Sequence, residues 1–267
     1  MSELHDGEGL YFFGGAPRSG LTLLRRLISE HPGIICGSDT GVALALAMQA
    51  GNFTSTLGSL HSKEFYLKDG DVRRIMGRVV DKCLKSSSRE QRIVCEKTSL
   101  NVLVFERLAD MLPRAKFVHA LRDGRDVASS LLMRGWRDPK TGKKFPHVEY
   151  PEAAAGYWKA LVEIGLRAEA ALTSSGRIMR IAYEDVAKAP EIVLPGLIAF
   201  LGAAPNAKPP EAAGAMQLNA IESESLPLLF QPVTASRISI AKTRLSPDVY
   251  QRVDTIVRPV MARLKPA

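Results

Sequence analysis

Short apolar runs, each closed by a glycine-rich or charged turn and followed by a segment with helical periodicity, recur along this chain and leave few folds open. Leu10-Tyr11-Phe12-Phe13 is aromatic-rich, closes on Gly14-Gly15 and reads as a buried strand entering a tight turn. Leu23, Leu24, Leu27 and Ile28 then recur at helical spacing, with Arg25 and Arg26 expected to face away, until His31-Pro32-Gly33 ends the pattern. Ile34-Ile35-Cys36 offers a second strand, Gly37-Ser38-Asp39-Thr40 a polar loop, and the stretch from about Gly41 to Ala50 a helix. A basic helix from roughly Asp71 to Lys85 leads to a strand at Arg92-Ile93-Val94-Cys95, whose end carries Glu96-Lys97-Thr98, and then to a helix over about Asn101 to Leu112. Lys116 to Leu121 reads as a central strand that turns through Arg122-Asp123-Gly124-Arg125 into a helix reaching about Met133.

Strands alternating with helices imply an α/β fold, a P-loop-like parallel β-sheet flanked by helices on both faces, and such sheets bind ligands at the C-terminal ends of their strands. That rule singles out the loops 14–22, 36–40, 96–98 and 122–130. Gly135 to Tyr150, with two prolines, two glycines and five basic residues, reads as a surface loop able to close over a ligand. Tyr157, Leu161, Ile164, Ala168 and Leu172 line a long helix, Arg177 to Tyr183 forms a further strand, and Leu194, Leu197, Ile198 and Leu201 stripe a helix beyond Pro190. The pattern weakens from Gly202 to Thr243, where Pro205, Pro209, Pro210, Pro227 and Pro232 fall, before a terminal amphipathic helix carries Val249, Val253, Ile256, Val257, Val260 and Leu264. A single domain over residues 1–267 accounts for all of it.

Composition excludes several classes. The chain has 267 residues, 46% hydrophobic and 24% charged, near globular averages and unlike disordered or fibrous proteins. No apolar run reaches the ~20 residues of a membrane span. Glu3, Asp6 and Glu8 mark the N-terminus as no signal peptide. A soluble, cytoplasmic protein is expected. Cys36, Cys83 and Cys95 are odd in number, widely spaced and unaccompanied by histidine pairs, so they read as free thiols rather than disulfides or metal ligands. A formal charge of +8 favours an anionic ligand, but the basic residues are scattered rather than interleaved with aromatics, which disfavours nucleic acid.

The segment Gly15-Ala16-Pro17-Arg18-Ser19-Gly20-Leu21-Thr22 matches the phosphate-loop frame GxxxxGK[ST] in its glycines and final threonine but puts Leu21 where the lysine belongs. Backbone N–H groups at a helix N-terminus still make an anion cradle, whereas the γ-phosphate clamp is gone. No magnesium-holding acid follows a strand, so an NTPase is disfavoured and no metal is expected. Arg18 and Lys97 can supply positive charge to a leaving phosphate instead. Arg122 at a strand end and Ser130 about two helical turns on can meet one phosphate as a second anion site, with Asp123 as helix cap and Arg125 either a further part of that site or a solvated cation.

PRSGLTLL, RRLISEHPGIICGSDT and FVHALRDGRDVASSL resemble segments of the PAPS-dependent sulfotransferases, most nearly the tyrosylprotein type with its PRSGTTL, CGEET and RDGR segments. The resemblance covers residues 10–135 well and the rest loosely, with Tyr183-Glu184-Asp185 as an island. It implies the sulfotransferase fold and metal-independent, in-line transfer of a sulfuryl group from PAPS to a hydroxyl acceptor, leaving adenosine 3′,5′-bisphosphate. Pro17, Arg18, Ser19, Gly20, Leu21 and Thr22 would hold the 5′-phosphosulfate, with one hydroxyl lost at Leu21. Arg122 and Ser130 would hold the 3′-phosphate, joined by Ser236, Arg237 and Lys242 from a late loop. Tyr183 would touch the nucleotide or serve as a core tyrosine. Lys97 would face the sulfuryl group, and Asp39 would stand for the last glutamate of CGEET as base, one methylene shorter. From the residues alone, Asp39 reads first as a cap for the helix near Thr40, and His119, inside a strand, reads as a hydrogen-bonded core histidine before a rival base. Trp136 either covers the adenine or packs its loop. The acceptor is open among small-molecule, lipid or glycan alcohols and phenols such as tyrosine, and a homodimer is compatible with the chain. The competing reading is a small-molecule P-loop kinase using Mg-ATP.

Overall fold

The computed structural model describes residues 6–53, 69–86, 93–204 and 233–264; residues 1–5 and the proline-bearing stretch 205–232 lie outside them, as does Arg92 at the expected start of the third strand. The strands are β1 (Leu10–Gly15), β2 (Ile34–Cys36), β3 (Ile93–Lys97), β4 (Lys116–Leu121) and β5 (Ile178–Ala182). They form one parallel sheet in the order β2-β3-β1-β4-β5. The first connection leads away to β2 on one side, while β4 and β5 lie on the other, so the chain reverses direction at β1. A crevice opens at such a point beyond the strand ends. The turn after β1 therefore stands between the ends of β3 and β4.

Helices cover both faces: α1 (Leu21–Ile28), α2 (Val42–Asn52), α3 (Asp69–Lys85), α4 (Phe105–Met111), α5 (Gly124–Leu132), α6 (Pro151–Leu172), α7 (Tyr183–Lys188), α8 (Pro190–Phe200) and α9 (Pro247–Leu264). Alternation along β1 sorts the core. Leu10 and Phe12 pack with α2, α4, α5, α6 and α9, whereas Tyr11 and Phe13 pack with α1 and α8. The expected Asn101–Leu112 helix is a 3-10 segment (Ser99–Val104) running into α4. No described helix is long and apolar enough to cross a membrane.

Two expectations need correction. Arg25 does not face away: it is buried, and its Nε donates to the Cys36 carbonyl at 3.1 Å, satisfying a strand-end acceptor that α1 would otherwise cover. The 135–150 segment is not a plain loop. Arg137 pairs antiparallel with Lys144, the Phe145 amide donates to the Trp136 carbonyl at 3.2 Å, and His147 stacks on Tyr157 with ring centroids 4.2 Å apart. Trp136 is half-buried against the core and meets His147 edge-on, so it packs this hairpin.

Candidate active site

The turn after β1 is forced by close contacts. A Cβ on Gly15 would collide with the Ala120 carbonyl of the neighbouring strand, and one on Gly20 would lie 2.5 Å from Tyr183. Gly20 has φ 91° and Arg18 has φ 77°, both left-handed, which curls the chain into α1. Gly20 caps α1 without any side-chain hydrogen bond, so the first-turn amides keep their capacity for an anion. Ser19 is buried, and its Oγ finds no hydrogen-bond partner. Pro17, Arg18 and Thr22 are half-buried along the same turn. Leu21 is the exception: its side chain lies in the core with Leu24 and Ile28, so only its backbone can face a ligand. That burial is why leucine replaces lysine here without unfolding the turn.

The second predicted anion site meets the first. Arg18 Nε donates to Ser130 Oγ at 3.1 Å although the residues are 112 positions apart, and Arg122 Nη1 donates to the Arg18 carbonyl at 3.2 Å. Arg122 is 8% exposed, its guanidinium carbon 4.2 Å from the Tyr183 ring centroid, and its Nε is buried without a hydrogen-bond partner. Tyr183 thus wedges between Gly20 and Arg122. The Trp158 indole donates to the Arg122 carbonyl at 3.1 Å, and Glu184 accepts the Asp123 amide at 2.9 Å, holding the strand end. Asp123 caps α5 through the Arg125 amide at 2.9 Å. Arg125 is no solvated cation; it pairs with Asp123 and reaches Asp254 of α9 at 3.3 Å, and its hydrogen bond to Asp123, outweighing burial, raises its pKa.

The late segment folds back on this corner. Arg122 Nη2 donates to the Arg237 carbonyl at 2.8 Å, and Asp126 accepts the amides of Ser239 and Ala241 at 2.9 Å each. Ser236 is exposed and shares a 2.7 Å hydrogen bond with Thr234. Lys242 is exposed at the rim of a polar cavity of about 130 Å³ lined also by Asp123, Arg125, Asp126 and Tyr250. Burial and the guanidiniums of Arg237, Arg122 and Arg134 lower the pKa of Arg244, which marks a cationic cluster that sequence reasoning left without Arg134 and Arg244. Asp126 was equally invisible: an acid in a helix's first turn looks like dipole compensation.

On the other side of the turn, Lys97 lies opposite Phe13 in register, 1% exposed, and its Nζ meets Asp39 Oδ1 at 2.5 Å. The N-cap position of α2 falls on Gly41 rather than on Asp39. Thr40 and Thr98 do the local work, accepting the amides of Val42 at 3.2 Å and Gly41 at 3.1 Å. Glu96, unused in the sequence reading, is buried; burial raises its pKa against the opposing effect of hydrogen bonds from Thr98, Asn101 and Thr40. His119 sits away from all of this. It is fully buried mid-strand with Nδ1 2.6 Å from Glu169, which also pairs with Arg180, and its ring packs against Gly165 of α6. No group of metal-ligating side chains occurs among the described residues.

A family profile described as "Sulfotransferase family" matches residues 11–206, the span that holds the turn, Asp39, Lys97, Arg122 and Ser130. The chain belongs to the sulfotransferase family. It is 26% identical over 262 residues to "Protein-tyrosine sulfotransferase 1" of Danio rerio, covering 96% of this chain and 71% of that one. To "Protein-tyrosine sulfotransferase 2" of Gallus gallus it is 25% identical over 266 residues, covering 96% and 68%. Among solved structures, the "Sulfotransferase Domain from the Synechococcus PCC 7002 Olefin Synthase" superposes with a TM-score of 0.61 at 18% identity, covering 96% of this chain and 98% of that one, and shares the fold. Membership of the sulfotransferase family displaces the kinase alternative.

Proposed function

We propose that this sulfotransferase moves the sulfuryl group of PAPS to a hydroxyl acceptor without a metal. The observation that carries the reading is the junction of two anion-binding loops at Arg18, Ser130 and Arg122. One nucleotide with phosphates at both ends suits two cationic sites so joined, and the unpartnered buried Ser19 Oγ and Arg122 Nε supply hydrogen-bonding capacity for it.

In this reading the α1 N-terminus, Ser19 and Thr22 bind the 5′-phosphosulfate, while Arg122 and Ser130, with Ser236 and Lys242, bind the 3′-phosphate. Tyr183 keeps Arg122 in place. The donor supplies a sulfuryl group on a good leaving phosphate. Asp39 takes the acceptor's hydroxyl proton as the new O–S bond forms, and Arg18 and Lys97 stabilise the charge left on the phosphate oxygen as the old S–O bond breaks. The Lys97–Asp39 contact opens for the acceptor to enter between them. Leu21 contributes its backbone only. The names of the fish and bird relatives favour a phenolic acceptor such as peptide tyrosine, and the shorter Asp39 side chain favours one that reaches deep into the crevice.

The test is calorimetric titration with adenosine 3′,5′-bisphosphate, followed by turnover of labelled PAPS in EDTA across phenols, tyrosine peptides and aliphatic alcohols. Binding and EDTA-resistant transfer are expected. Stabilisation by Mg-ATP but not by the bisphosphate would sink the reading.

A further inference from the structure

Glu96 is a buried carboxylate at the crevice that the proposed chemistry does not use. It follows Cys95 on β3 and is 3% exposed. Its carboxylate receives hydrogen bonds from Thr40 Oγ1 at 2.8 Å, from Thr98 Oγ1 at 2.5 Å and from Asn101 Nδ2. Thr40 comes from the loop after β2, 56 positions away, whereas Thr98 and Asn101 follow Glu96 on its own stretch of chain. Thr40 directly follows Asp39, and Thr98 directly follows Lys97. Asn101 reaches on to the Phe13 carbonyl at 3.3 Å, next to Gly14-Gly15 and the start of the donor turn. Thr98 Oγ1 also accepts the Gly41 amide at 3.1 Å, closing a ring between the ends of β2 and β3.

We propose that Glu96 is a positioning residue for sulfuryl transfer, a buried carboxylate that ties the Asp39 loop, the Lys97 strand end and the β1 end into one unit. It sets where the base stands relative to the cation and the donor turn. The inference rests on the sulfuryl-transfer reading above. The chemistry of the group explains the choice: an ionised carboxylate is acceptor only, so two hydroxyls and an amide can all point at it together. Glutamine in its place must turn its own N–H₂ either toward the Asn101 amide, donor against donor, or toward both threonine hydroxyls, which must then swing round. Either way one tie is lost while volume and burial are kept. A misplacement of about 1 Å at reacting groups costs roughly 10²-fold in rate.

The test compares wild type with Glu96→Gln in three measurements. Positioning predicts a fall in kcat of roughly 10–100-fold with the affinity for adenosine 3′,5′-bisphosphate changed by less than about 2-fold. It predicts faster hydrogen exchange of the Gly41 amide with a melting temperature lowered by no more than a few degrees. It also predicts that Glu96→Gln adds little to the loss already caused by Asp39→Asn, because both act through one base. Unchanged kcat and unchanged exchange at Gly41 would overturn the proposal. So would a parallel loss of bisphosphate binding and thermal stability with multiplicative rate effects, the signature of a purely structural carboxylate. If wild type itself neither binds the bisphosphate nor turns over PAPS, the functional reading has failed, and exchange at Gly41 still decides the tie. Should Glu96→Gln not fold, Thr40→Val removes one donor at an exposed position and is expected to lower kcat several-fold, again sparing bisphosphate affinity; an unchanged kcat there would count against the clamp.

Discussion

The two flanks of the donor turn are built differently. On the β4 side, Arg122 is fixed by neutral partners, the carbonyls of Arg18 and Arg237 and the ring of Tyr183, with Asp126 3.8 Å away and committed to the late segment. The long ion pair with Asp126 compensates its charge only in part, and Arg134, Arg237 and Arg244 add positive charge beside it. On the β2–β3 side, charge is matched instead: Lys97 faces Asp39 at 2.5 Å over the buried Glu96 network. A flank with surplus cation suits holding a fixed anion. A flank with a paired carboxylate and ammonium suits chemistry in which a proton arrives on one group as charge develops beside the other. Binding and turnover should accordingly separate along this line.

Arg18 stands on the boundary and should show the largest effect. Arg18→Ala is expected to cut turnover by roughly 10³-fold and to weaken the bisphosphate as well, because the side chain joins Ser130 to the turn; near-normal steady-state rates would remove it from the site. Asp39→Asn should lower kcat by roughly 10²-fold while leaving bisphosphate affinity intact, a split visible by pairing kinetics with calorimetry. Loss of both together would erase the distinction between the flanks. Arg122→Ala should do the reverse, costing about 1.5–3 kcal/mol of bisphosphate affinity and discriminating far less against adenosine 5′-monophosphate, which lacks the 3′-phosphate.

The smallest effect lies outside both flanks. Burial pushes the Glu169 carboxyl up, but hydrogen bonds and charge from His119 and Arg180 outweigh it, so its pKa falls below the ordinary 4.5. A depressed folded pKa means stability that is present above that ordinary value and is lost as pH falls through the folded one. Glu169→Gln should therefore melt lower than wild type at neutral pH by an amount equivalent to about 1–3 kcal/mol, with the gap narrowing as pH falls below the ordinary 4.5 and catalysis nearly unchanged. A gap that does not narrow on acidification would overturn the Glu169 ion-pair account, and a large loss of kcat would mean that the His119 network takes part in the reaction after all.

Much of the architecture was legible before any contact was known. Lys116–Leu121 and Ile34–Cys36 are strands at the expected positions, and Gly15 to Thr22 forms the expected turn. Local periodicity and turn chemistry suffice for these, because the apolar runs are short and bounded by glycine or charge. Arg25 was misread because helical spacing reports which face is apolar, not whether a long cation can reach beneath a strand end. The hairpin at 135–150 was missed because prolines, glycines and lysines look alike in a loose loop and in one pinned by stacked rings. Asp39 had two readings, cap or base; its sequence neighbours favoured the cap, and only the family resemblance pointed to a base.

What the order of residues alone settled was the alternation of short strands with helices and the glycine-bearing turn after β1, since those follow from interactions between near neighbours in the chain. Which groups face one another beyond the strand ends was settled only by strand order. Placing β3 and β4 on either side of β1 brings Lys97 to Asp39, Glu96 to Thr40, and Ser130 to Arg18. Each pair is separated by 56 to 112 positions or the like of chain, and only the folded sheet makes them neighbours.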